Sequence, residues 1–227
     1  MGRLAAFIVS CALLVGAVGA PAAPVVLTSR DTPLSRVAVI GDSYTTGSDQ
    51  GGQGSQGWAA RSWQTLARQG FQINPDVAAE GGAGYGVRGN RGSVFGDLTP
   101  RAVRPDDTLV LFFGSRNDQR VDPAALADSA RDCFVFARHV APSARLLVIG
   151  PPWPTADVPV DVLQVRDVLY AQARAIGATW IDPIAERWFV GRPDLIGQDG
   201  VHPTDAGHAY MADKIAPLIA AQLPRQV

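Results

Sequence analysis

A three-layer α/β/α sandwich around a mostly parallel sheet is the fold this sequence predicts. Three features lead to it: five short apolar runs, helical spacing in the segments between them, and two glycine-rich loops, Gly47–Gly57 and Gly81–Gly92, beside the ends of those runs. The length agrees, because 227 residues are enough to bury one core and no Ser/Pro/Gly-rich linker divides the middle of the chain. A single domain over residues 35–224 is expected. No internal repeat of the length used by solenoids or propellers is visible.

In order, the apolar runs are Arg36–Ile40, Gln72–Ala78, Thr108–Phe113, Arg145–Ile149 and Thr179–Ile181. Each is short enough for a strand, and their order in the sheet is not encoded in the pattern. Between the first two, Trp58–Arg68 has helical spacing, with Trp58, Ala59, Trp63 and Leu66 as its apolar stripe. Asp122 followed by Pro123 supplies an N-cap and a proline at the first helical position, opening a helix to about Val140. Leu126, Ala130, Cys133, Ala137 and Val140 share one face of it, so Cys133 reads as a buried structural thiol. Val160–Ile176 and Thr204–Leu223 complete the helices, the last expected to bend or break at Pro217.

A net charge of −1 and the lack of any lysine or arginine run argue against nucleic acid or an anionic membrane as the partner. The amino terminus differs in kind from the rest. Arg3 precedes the apolar stretch Leu4–Val18, and Ala20-Pro-Ala22 offers small residues for a signal peptidase, so residues 1–22 read as an export signal cleaved near Ala22. Two alternatives stay open: a retained anchor, although the stretch is shorter than the roughly 20 residues of a membrane span, and lipidation at Cys11 in a loose lipobox. Cleavage would leave Cys133 as the one cysteine of the exported chain, without an internal disulfide. A secreted or cell-wall-associated monomer with no lasting membrane span is expected.

Val37-Ala-Val-Ile-Gly-Asp-Ser-Tyr-Thr-Thr-Gly47 sets a serine on a glycine-flanked turn just beyond the first strand. Ligands in open α/β sheets bind at that end of the strands. Ser43 is a nucleophile only if a base activates it, and the chain has three histidines. His139 falls at a helix end, where a cation is favourable for structural reasons alone. His208 falls inside the last helix, four residues past Thr204, where it could face solvent. His202 sits in Asp199-Gly-Val-His-Pro-Thr204, where the turn through Gly200 lets Asp199 curl back to the imidazole. Asp199 also suits a plain turn-forming role. For a developing oxyanion, the donors on offer are the Ser43 N–H, a glycine of Glu80-Gly-Gly-Ala-Gly-Tyr85, and the carboxamide of Asn117 in Gly114-Ser-Arg-Asn-Asp118. Each of the last two segments is equally compatible with an ordinary turn.

Taken in series, Gly41-Asp42-Ser43, the Gly81/Gly82 loop, Asn117-Asp118 and Asp199-Gly-Val-His202-Pro resemble the SGNH hydrolases, also called the GDSL esterase/lipase superfamily. The resemblance spans nearly all of the mature chain. It implies a flavodoxin-like sandwich with a five-stranded parallel sheet, Ser43 as nucleophile, His202 as base then acid, and Asp199 as its orienter. It also implies an oxyanion hole of the Ser43 amide, a loop glycine and Asn117, with no metal or other cofactor. Gly82 is the expected glycine, with Gly81 and Gly84 as alternatives, because the asparagine often found earlier in that block is Val77 here. Ser115 stands where the third block usually has glycine, and its side chain is expected to narrow the site.

The leading expectation is an exported serine esterase or lipase acting on lipid, acetylated-glycan or other cell-envelope esters through an acyl-serine. Acyl transfer to an alcohol uses the same residues. A metal phosphoesterase built on Asp42, Asn117, Asp118, Asp199 and His202 is disfavoured, because two-metal sites draw on several histidines. A non-catalytic glycan- or lipid-binding protein, with Trp58, Trp153 and Trp188 as contact surfaces, is the third reading. Trp153, in Pro151-Pro-Trp-Pro154 after the fourth strand, is the aromatic expected to touch substrate.

Overall fold

Parallel strands joined by helices organise the chain in the computed structural model, which describes residues 34–224. The expected signal at residues 1–22, with Cys11, lies outside the described residues. Elements run in the order β1 (Leu34–Gly41), α1 (Ser43–Thr46), α2 (Trp58–Arg68), β2 (Gln72–Ala79), α3 (Phe95–Ala102), β3 (Asp107–Phe113), α4 (Pro123–Val140), β4 (Arg145–Ile149), α5 (Val160–Ala175), β5 (Thr179–Ile181) and α6 (Asp205–Gln222). All four strand pairings are parallel, and the sheet order is β2-β1-β3-β4-β5. That is the flavodoxin-like order, with its reversal between β1 and β3, where α/β folds open a crevice beyond the strand ends.

Alternation along the strands decides the layers. Ala38, Ile40, Val110, Phe112, Leu146 and Val148 face one side, against Phe95 and Leu98 of α3, Phe134 of α4 and Leu169 of α5. Val37, Val39, Leu109, Leu111, Phe113 and Ile149 face the other, against Trp58 and Leu66 of α2 and Met211, Ile215 and Ile219 of α6. A parallel sheet covered on both faces needs apolar residues at successive positions, which is why β3 reads as an unbroken apolar run. Pro75 pairs with Val37 from β2, an edge strand, where proline's missing N–H is tolerated.

Helix ends follow their caps. Asp122 Oδ1 accepts from the Ala124 and Ala125 N–H groups, each at 3.0 Å, and the Thr204 hydroxyl accepts from Gly207 N at 3.2 Å. Two expectations, at Pro217 and at His208, need correction, and two features were unforeseen. Helix α6 runs from Asp205 to Gln222 without a break at Pro217. Trp63 packs at the border of the core, and Ser62 is buried beside the α2 stripe. An unforeseen helix, α3, follows the second glycine loop, its Asp97 carboxylate bound to Val94 N at 3.1 Å. His208 is fully buried rather than solvent-facing. Among the described residues, no helix is long and apolar enough to cross a membrane.

Candidate active site

Ser43 opens the one-turn helix α1 directly after β1. Asp42 caps that turn, its Oδ1 accepting from Tyr44 N at 2.9 Å, and a side chain at Gly41 would collide with Thr45. Glycine is therefore required for the strand to turn so tightly. Ser43 is half-buried, and its Oγ lies 3.1 Å from His202 Nε2. His202 Nδ1 lies 2.6 Å from Asp199 Oδ2, while Asp199 Oδ1 accepts from Val201 N at 2.8 Å and His202 N at 2.9 Å. Partial burial opposes ionisation of Asp199, but those hydrogen bonds outweigh it and hold the carboxyl near pKa 2. The carboxylate therefore stays charged and fixes the ring with Nδ1–H toward itself, leaving Nε2 to accept from the Ser43 hydroxyl.

The opposite wall is a second turn. Ala83 N donates to Glu80 O at 3.1 Å, so Gly81 and Gly82 occupy its centre. Gly82 has φ +77°, the sign that a type II turn demands at its third residue. Gly84 is excluded as a free donor, because its N–H binds Val87 O at 2.8 Å. Among the described residues, the N–H groups of Ser43 and Gly82 have no protein acceptor, and both residues line the same cleft. Asn117 lines it too, with Nδ2 donating to Ala83 O at 2.8 Å and lying 3.5 Å from Asp42 Oδ2. Ser115 does not narrow the cleft: it is fully buried, and its hydroxyl donates to Ala83 O at 3.0 Å while accepting from Asn117 N at 3.0 Å.

Two carboxylates hold this wall from behind. Asp118 accepts three backbone N–H groups, from Tyr85 (2.8 Å), Gly86 (2.9 Å) and Val87 (3.1 Å), and a side chain at Gly84 would strike it. Burial raises its pKa against those bonds. Asp42 is buried beneath Asn117 and burial, again opposed by hydrogen bonds, pushes it up to about 6. Both groups are thus spent on backbone and neighbouring side chains. Asp42 and Asp118, which the disfavoured metal reading would use as ligands, are supports here, and among the described residues no group of three or more His, Cys, Asp or Glu is gathered as metal ligands.

Sequence reasoning missed Tyr44. Its ring is buried among Phe113 and Phe189, and its hydroxyl donates to Val201 O at 2.6 Å. The residue after Ser43 is thereby bonded to the residue before His202. A buried aromatic beside the serine was the available signal, but its partner lies 157 positions away. Trp153 does not line the cleft. It stacks on Arg116, whose guanidinium carbon sits 4.2 Å from the ring centroid, and Arg116 lines the cleft instead.

The cleft at Ser43 has a volume of about 560 Å³ and a mostly polar wall that includes Thr46, Ser48, Asn90, Arg91, Arg116 and Gln119. Residues 39–210, from the end of β1 into α6, match the model of the GDSL-like lipase/acylhydrolase family. The chain belongs to that family. It is 62% identical to the GDSL lipase Rv0518 of Mycobacterium tuberculosis, over 98% of this chain and 99% of the relative. Among solved structures it superposes on TesA with a TM-score of 0.68 at 22% identity, covering 83% of this chain and all of that one. The lipase/acylhydrolase from Enterococcus faecalis gives 0.66 at 16% identity, covering 85% and 100%. These two likenesses bear on the fold, which is that of the SGNH hydrolases. Family membership makes this GDSL-like protein a carboxylic ester hydrolase.

Proposed function

We propose that this protein is an exported serine esterase for short-acyl esters of polar alcohols, with Ser43, His202 and Asp199 as its triad. The observation that carries the reading is the position of His202, whose two ring nitrogens meet Ser43 Oγ at 3.1 Å and Asp199 Oδ2 at 2.6 Å. Ser43 Oγ attacks the ester carbonyl carbon as its proton passes to His202 Nε2, and the carbonyl oxygen becomes an oxyanion. The N–H groups of Ser43 and Gly82 and the Asn117 carboxamide receive that charge. His202 then protonates the departing alcohol, and a water deprotonated by His202 releases the acid from the acyl-serine. Asn117 must exchange its bond to Ala83 O for the oxyanion, or share its second N–H.

Preference for a short acyl group follows from the wall of the cleft, in which Val201 is the one side chain that is wholly hydrocarbon. A long alkyl chain would lie on hydroxyls, amides and guanidinium groups that cannot replace its lost contact with other apolar surface. Export rests on the signal-like residues 1–22, and the catalytic domain is assigned to residues 35–224. Trp153 contributes to substrate binding through Arg116. A series of 4-nitrophenyl esters from acetate to palmitate, run on wild type and Ser43→Ala, tests the reading. Short esters should be cleaved fastest and Ser43→Ala should be inert; equal rates in the two proteins would end it. Amino-terminal sequencing of the protein recovered outside the cell should begin just after Ala22.

A further inference from the structure

The charge of the cleft is one-sided. Arg91 and Arg116 line it, while no Asp or Glu does. Arg91 is partly balanced by Glu80, at 3.8 Å from Nε to Oε2. Arg116 differs: among the described residues no carboxylate lies within ion-pair distance of it, its Nη1 is buried without a hydrogen-bond partner on the side of the Tyr44 hydroxyl, and its Nε and Nη2 have no protein acceptor. The carboxylates nearby, Asp42 and Asp118, are buried and occupied by Tyr44 N and by the 85–87 backbone. The guanidinium is held over the Trp153 ring, and Arg116 lines the cleft together with Asn117. Arg116 is partly exposed, so its charge stays hydrated in the cleft, and a planar fork so held suits two oxygens of one anion.

We propose that the ester hydrolysed here bears an anionic group, carboxylate or phosphate, and that Arg116 binds it next to Ser43. This rests on the esterase reading above and adds the substrate's charge. The overall charge of −1 gives no long-range attraction for anions, so the selection is local to the cleft. Arg116 acting only on the developing oxyanion would speed neutral and charged esters alike. Arg116 acting on the substrate's anion separates them.

Matched esters read this difference. On the alcohol side, 3-acetoxybenzamide is compared with 3-acetoxybenzoate and 3-acetoxyphenyl phosphate; on the acyl side, the 4-nitrophenyl ester of adipic acid is compared with that of its monoamide. At low salt, at least one anionic ester should exceed its neutral partner about tenfold in kcat/KM, mainly through KM. The ratio should fall as sodium chloride is added. Arg116→Gln should bring it towards one, a readout from which any loss common to both esters cancels, and Arg116→Lys should restore part of it. The phosphate and benzoate arms distinguish the two anions. A ratio of one in every wild-type pair, or a preference that survives Arg116→Gln, overturns the proposal. Failure to cleave any ester would instead strike the esterase reading, and binding of 3-hydroxybenzoate over 3-hydroxybenzamide to Ser43→Ala protein tests the anion site without turnover.

Discussion

On one side of the cleft, His202 and Asp199 form a local turn open to solvent and joined to Ser43 through single contacts. On the other, Gly82 and Asn117 are backed by buried carboxylates that each serve several donors. In the proposed mechanism the first wall handles protons, and an imidazole must rotate slightly and exchange with water to do so. The second wall, in the same mechanism, must present dipoles already aimed, because any reorganisation during the reaction would add to the barrier. Exposure on one side and rigid burial on the other fit those two tasks.

The largest effect should come from breaking the first wall. His202→Ala or Ser43→Ala should lower kcat by about four to six orders of magnitude with little change in melting temperature; a fall of less than about a hundredfold in His202→Ala would mean another base serves. Asn117→Ala on the second wall should cost about 100- to 1000-fold in kcat, the usual loss for one oxyanion donor. Its support should fail differently. Asp118→Ala leaves three backbone N–H groups without their acceptor, and a loss of about 3–5 kcal/mol in denaturant unfolding is expected along with the lost activity. Unchanged stability there would show that the 84–87 turn holds itself.

Smaller changes sharpen the contrast. Tyr44→Phe deletes the one hydroxyl that ties the nucleophile turn to Val201, so kcat should fall about tenfold with KM nearly constant. Equal changes in both constants, or none, would reduce Tyr44 to a packing residue. The base-side wall is also anchored by His208, whose Nδ1 accepts from Trp58 N at 3.3 Å, and by Asp205, which accepts from Gly52 N at 2.8 Å. Burial lowers the His208 pKa to about 4. Because the folded value lies below the unfolded one, near 6.5, stability is complete above pH 6.5 and declines as pH falls towards 4, by about 3 kcal/mol. Asp42 has the opposite sign. Its folded value of about 6 exceeds the unfolded one, so its contribution is full below pH 4 and fades as pH rises through 6. Unfolding curves of wild type and His208→Asn between pH 4 and 7 should converge at the acid end relative to pH 7, and parallel curves would exclude His208 as the cause.

Strand and helix positions were legible because their causes are local. The Asp122-Pro123 cap, the unbroken apolar run of β3 and the spacing of α4 each act over a few residues. The same holds for Asp199 and His202, three positions apart on one turn. The burial of His208 and the supporting role of Asp118 were not legible because their partners are distant: burial of His208 depends on Trp58 and Gly52, and Asp118 accepts from the 85–87 backbone. The α3 helix escaped notice because its apolar positions follow a glycine-rich loop and include Pro100.

By itself, the sequence determined the layers, the family and the residues competent for ester chemistry, since periodicity, caps and turn residues are properties of neighbours along the chain. Only the tertiary structure decided that β1 and β3 lie side by side, which brings Ser43 and Asn117 to the same crevice. It also decided that Tyr44 reaches Val201 and that Arg116 rather than Trp153 faces the cleft. Those contacts join residues far apart in the chain, and their geometry follows from strand order and the packing of two hydrophobic layers, which no local pattern encodes.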